Sequence, residues 1–154
     1  MKLNQIIFEN YKPFWGTKKL ETDCTNEKPL VLIRAMNGIG KTSILKAVLF
    51  GLYGASIFLD RETSVSRFGD DSTIKLEKQK TVNIKAANEN KTGRAGVTLI
   101  FGEGRDQLEV ARHLTFNQVK KGERQPEITG ETITIKKGGE VQADSQNKPP
   151  TYIK

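Results

Sequence analysis

Apolar and polar positions change rhythm along the chain, and each change marks an element. Leu3, Ile6, Ile7 and Phe8 form an opening strand-like run. Pro13, which lacks a donor N–H, and the crowded Tyr11, Phe14 and Trp15 interrupt it. Gly16 permits a turn, and Thr17 to Glu21 return as a second strand. Asp23 to Lys28 is a loop, and Pro29 introduces a third strand, the apolar run Leu30, Val31, Leu32, Ile33. Three strands so early favour a mixed sheet over a purely parallel one. From Lys41 to Tyr53 the period becomes helical, with Ile44, Leu45, Ala47, Val48, Leu49, Leu52 and Tyr53 apolar on most sides. That is the pattern of a helix buried against a sheet. Gly54 supplies a stop. Gly51, inside the helix, costs up to about 1 kcal/mol relative to alanine and points to close packing.

Between Ala55 and Arg94 the pattern turns polar, with short apolar islands that predict one or two short helices in a surface excursion. A hairpin follows: Gly96 to Phe101, a turn at Gly102-Glu103-Gly104, and Gln107 to Leu114 returning in alternation. A second hairpin begins with Ile128 to Lys136 and turns at Lys137-Gly138-Gly139. Residues 143–154 are polar and end Q-N-K-P-P-T-Y-I-K, which reads as a linker or a cut end. The expected organisation is a nucleotide-binding core over 1–54, the excursion over 55–94, hairpins over 95–142, and the linker.

Residues 35–43, A-M-N-G-I-G-K-T-S, lie between the apolar run and the helix. A glycine-rich turn after a strand and before a helix N-terminus is the setting a phosphate-binding P-loop needs. Gly38 and Gly40 let backbone N–H groups wrap around phosphate oxygens, with Asn37 and Ile39 in the same loop. The helix adds its unpaired N–H groups and its positive dipole end. Lys41 is placed to reach the β- and γ-phosphates, Thr42 to ligate Mg²⁺, and Ser43 to bond the α-phosphate. The general pattern opens with glycine where this chain has Ala35, a substitution alanine tolerates if φ stays negative. The expectation is an α/β P-loop fold, with a mixed or antiparallel sheet, binding ATP and Mg²⁺.

At 154 residues the chain suits one domain, and its 36% apolar content is low for a compact globule. A formal net charge of +7 suits a polyanionic partner or a solvated basic surface. Cys24 is the single cysteine, so an internal disulfide is impossible, and with His113 the single histidine no Cys/His zinc site can form. The N-terminus lacks a signal-peptide stretch, and no apolar run approaches spanning length. A cytoplasmic location without membrane partners is expected.

The order of motifs resembles a known group. An opening strand, N-Y-K-P-F-W-G, a short strand, N-G-I-G-K-T-S and a helix ending F-G-L-Y-G resemble the ATP-binding head of SMC/SbcC/RecF-type ABC ATPases. The hairpin V-T-L-I-F…L-E-V-A-R is similar to theirs. M-N-G-x-G-K-T-S with the L-Y-G helix end most resembles the DndD ATPases of DNA phosphorothioation and restriction. The resemblance implies that Asn37 to Ser43 bind ATP and Mg²⁺. It also implies that Lys12, at the arginine position of an N-F-R-x-F opening, lies near the phosphates or sugar; lysine there loses arginine's bidentate fork. It further implies DNA, a second ATPase head, and nuclease or DNA-modification subunits as partners.

Heads of this group also use a carboxylate motif, a signature loop near L-S-G-G-Q, and a glutamine loop. Ser56 to Glu62 resembles the first but follows the helix too closely, leaving Asp60 only a metal candidate. Lys137-Gly138-Gly139-Glu140 lacks the serine and reads as a turn, and Gln142 and Gln146 lie in polar coil. The expectation is therefore the N-terminal lobe of a longer ABC-type head, carrying half a composite ATP site and inactive alone. Two other classes compete: a P-loop kinase for a small molecule or nucleotide, and a basic nucleic-acid-binding module using Lys75, Lys78, Lys80 and Lys85, which lack interleaved aromatics for stacking.

Overall fold

The computed structural model describes residues 2–22, 25, 27, 30–58 and 71–144. Cys24, Asp60, Glu62, Gln146 and the expected linker beyond residue 144 lie outside them. The frame is one antiparallel sheet of six strands: β1 (Leu3–Tyr11), β2 (Phe14–Glu21), β3 (Thr92–Phe101), β4 (Leu108–Asn117), β5 (Glu127–Lys137) and β6 (Glu140–Asp144). Their spatial order is β2-β1-β3-β4-β5-β6. The helices are α1 (Lys41–Tyr53), α2 (Asp71–Gln79) and α3 (Ile84–Glu89), with a 3₁₀ turn at Ala55–Phe58 after α1.

Alternation along the strands builds one apolar face. Ile6, Phe8, Val97, Leu99 and Leu114 are buried against Ala47 and Phe50 of α1. A smaller cluster joins Val82, Ala86 and Ala87 around α3 to Ala95 and Phe116. The opposite face carries Glu9, Arg94, Thr98, His113, Thr132 and Lys136 around a concavity of about 570 Å³. At Gly51 α1 approaches the sheet closely. A Cβ there would stand 2.8 Å from Leu99 Cδ1, which gives the helical glycine its steric reason.

Two sequence expectations need correction. Among the described residues every strand pairing is antiparallel, so of the two expected forms the sheet is the antiparallel one and not the mixed one. Residues 30–33 belong to no strand, and Leu30 and Leu32 are more than 80% exposed. An apolar run becomes a strand only when a neighbouring strand pairs with it, and none of the described strands does. For the same reason α1 is half-covered where the pattern predicts burial: Ala47, Phe50 and Gly51 are buried, whereas Leu45 and Tyr53 are exposed. The third strand begins at Thr92, earlier than alternation alone indicates, because Thr92 to Ala95 pair with Leu114 to Asn117.

Candidate functional site

The glycine loop turns through left-handed backbone at two positions. Gly38 has φ +83° and Gly40 φ +109°, both left-handed, whereas Ala35 is not among the residues of positive φ. Alanine at the motif's first position is thus tolerated. α1 starts at Lys41 with Gly40 as its N-cap, and glycine brings no side-chain oxygen to cap the first turn. Such a terminus presents N–H groups and a positive dipole end to an anion. Lys41 folds back over the loop, its Nζ donating to the carbonyls of Ala35 at 2.6 Å and Met36 at 2.8 Å. Asn37, Ile39 and Thr42 are exposed, and Ser43 is half-buried.

Lys12 sits at the tip of the β1–β2 hairpin, next to two residues that pack on the loop. Tyr11 pairs with Phe14 across the Lys12-Pro13 turn. A Cβ on Gly40 would stand 3.0 Å from Pro13 Cγ and 3.3 Å from Phe14 Cζ. Pro13 and Phe14 therefore lie against the loop, although 26 positions separate Phe14 from Gly40. The hairpin tip is held in an uncommon shape, with left-handed backbone at Asn10 (φ +45°) and Lys12 (φ +47°). Its polar groups explain how: Lys12 N–H donates to the Thr81 carbonyl at 2.8 Å, and Asn83 N–H to the Asn10 carbonyl at 2.7 Å. Asn83 Nδ2 donates to the Lys12 carbonyl at 2.6 Å, while its Oδ1 accepts from Ala86 N–H and caps α3. Burial lowers the Lys12 pKa, and Lys46 lowers it further.

Sequence reading missed Lys46, Phe58 and Asn83 around this site. Lys46 carried one signal, its position four residues past Thr42 on α1. It also missed an ion network behind the helix. Arg112, 8% exposed, donates through Nε to the Gly51 carbonyl at 3.3 Å and through Nη1 to Glu131 at 2.7 Å. Lys78 of α2 holds the other Glu131 oxygen at 2.7 Å. The arginine places positive charge at the C-terminal end of α1, where the dipole favours it.

Among the other candidates, His113 lies on the outer face with Nε2 3.4 Å from Glu9, its pKa lowered by burial and by Arg94. Lys137 to Glu140 form the β5–β6 turn, with Gly138 and Gly139 left-handed. Gln142 is an exposed residue of β6. No group of three or more His, Cys, Asp or Glu among the described residues could hold a metal. No helix among them is long and apolar enough to cross a membrane.

Comparison with known proteins places the chain in a class. A family described as an AAA domain matches residues 5–150, and the chain belongs to that family. A shorter likeness runs to the SbcC component of nuclease SbcCD from Vibrio cholerae serotype O1, 33% identical over 61 residues. That alignment takes in 40% of this chain and 6% of the relative, so the chain spans a small fraction of that protein's length.

Proposed function

We propose that this chain is the nucleotide-binding half-site of a DNA-associated ATPase of the SMC/SbcC/DndD kind, one that works by ATP-dependent engagement of two heads. One observation carries the reading: two left-handed glycines lead into an uncapped helix N-terminus, with Lys41 folded across the loop and the Lys12 hairpin packed on Gly40. The residues suit Mg-ATP. The loop supplies backbone donors and a lysine, and the Thr42 hydroxyl is an oxygen ligand of the kind Mg²⁺ prefers. A bound Mg²⁺ would offset phosphate charge; Asn37 to Ser43 would hold and orient the phosphate chain, with Lys12 beside it.

The finer reading has its own supports. The exposed Leu30 to Ile33 run and the uncovered side of α1 form apolar surface beside the loop, suited to covering strands from a second lobe. The likeness to a component of the SbcCD nuclease and the net charge of +7 support DNA and a nuclease or DNA-modification protein as partners. The closer likeness to DndD rests on M-N-G-x-G-K-T-S and the L-Y-G helix end.

A half-site has a kinetic signature. Phosphoryl transfer needs a positioned water and a carboxylate as well as a phosphate cradle. The chain alone should therefore turn ATP over negligibly, and adding the complementary lobe should raise the rate and make dimerisation ATP-dependent. Ordinary enzymatic turnover by the isolated chain, abolished by Asp60→Ala, would replace this reading with a self-contained P-loop enzyme.

A further inference from the structure

Lys46 follows Thr42 by four residues, so both side chains leave α1 on nearly the same side, about one turn apart. Helical side chains lean toward the helix N-terminus, the end of α1 that the glycine loop precedes. Its Nζ lies 5.6 Å from the centroid of the Phe58 ring. Lys12, coming from the hairpin tip that abuts Gly40, brings its own Nζ within 5.8 Å of the same ring. Two cations from separate elements thus converge on one aromatic side chain.

Among the described residues no carboxylate is ion-paired with either lysine. Glu77, the carboxylate that acts on Lys12, is already bound to Lys80 at 2.7 Å. A ring face holds an ammonium in place without neutralising it. Like charges gathered on a clamped hairpin and a rigid helix make a ready site for an anion.

We propose that Lys46 is a phosphate-binding residue of the nucleotide site, forming with Lys12 an anion subsite on the Thr42 side of the glycine loop. The inference rests on the nucleotide reading above and adds a residue to it. Lys46 donates to a non-bridging oxygen of the phosphate chain, and Lys12 approaches the same group from the hairpin.

The test is calorimetry on the whole chain with Mg-ATP, and separately with inorganic tripolyphosphate, which carries the phosphate chain without base or sugar. Lys46→Met keeps the stem over Phe58 and removes the charge; Lys46→Gln is a second variant should the first fold poorly. Partly exposed charge-assisted contacts predict that Lys46→Met weakens both ligands by roughly three- to tenfold. Lys12→Met and Lys46→Met should combine non-additively, as expected of two groups on one phosphate. Wild-type affinity in Lys46→Met, alongside loss of binding in Lys41→Ala, overturns the inference and leaves the glycine loop as the site. Weakened ATP with unchanged tripolyphosphate places Lys46 against base or sugar and overturns the phosphate assignment. Unchanged binding in Lys41→Ala itself removes the nucleotide reading, and this inference with it.

Discussion

Glu131→Ala would remove the carboxylate that joins the sheet, α1 and α2. In the wild type one of its oxygens accepts from Arg112 at 2.7 Å and the other from Lys78 at 2.7 Å. The substitution leaves Arg112, 8% exposed, with a 3.3 Å bond to the Gly51 carbonyl. Breaking a fully buried pair from one side costs about 3–5 kcal/mol, because the remaining charge stays desolvated. The Glu131 side chain is 21% exposed, so water partly replaces the lost oxygen and the expected cost falls to about 2–3 kcal/mol. For a domain of this size that is a Tm decrease of about 4–12 °C. Urea melts followed by far-UV circular dichroism give the free energy directly. Arg112→Met combined with Glu131→Met replaces the pair with apolar bulk and should recover most of the loss. The pH dependence supplies a second readout. Burial pushes the Glu131 pKa up, but hydrogen bonds from Lys78 and Arg112 outweigh it and hold the carboxyl below its usual range. A depressed folded pKa contributes stability that is complete above the unfolded value and is lost as pH falls through the folded one. The wild type should therefore lose more stability than Glu131→Ala on acidification from about pH 5. A change below about 0.5 kcal/mol at pH 7, with parallel acid profiles, would refute the argument.

Other substitutions test other parts of the account. Gly51→Ala should gain up to about 1 kcal/mol of helix propensity yet lose more to overpacking against Leu99, for a net loss of about 1–2 kcal/mol; a raised Tm would contradict the close approach. Tyr11 carries a buried hydroxyl with no hydrogen-bond partner among the described residues, so Tyr11→Phe should leave stability unchanged or raise it by about 1 kcal/mol in the same melts. Gly40→Ala meets both a left-handed φ and Pro13 at 3.0 Å, and should abolish ATP binding in titrations while the sheet still folds. DNA binding by this chain should lack sequence preference and weaken steeply from low to physiological salt; salt-insensitive binding, or none at low salt, would move DNA contact to other parts of the protein.

The local features were legible in the sequence because they depend on neighbours along the chain. The α1 boundaries at Lys41 and Tyr53 follow from a glycine start, an apolar period and Gly54. Both hairpins after residue 92 follow from alternation broken by glycines. Long-range features were not legible. Nothing in N-Y-K-P-F says that Pro13 and Phe14 touch Gly40, nor that Arg112 reaches the Gly51 carbonyl. Leu30 to Ile33 have strand composition, but composition cannot supply a pairing partner. The glycine loop's conformation was foreseeable because only glycine occupies left-handed backbone freely. Lys46 escaped notice because an exposed helical lysine looks ordinary until a second element brings Lys12 to the same ring.

The central claim is that residues 37–43 hold a nucleoside triphosphate, and isothermal titration with Mg-ATP addresses it most directly. The wild type should bind with one-site stoichiometry. Lys41→Ala, which removes the cation proposed to face the β- and γ-phosphates, should weaken binding at least tenfold, roughly the worth of a charge-assisted contact. Thr42→Ala should chiefly reduce the dependence on Mg²⁺. Equal ATP affinity in the wild type and Lys41→Ala would contradict the account.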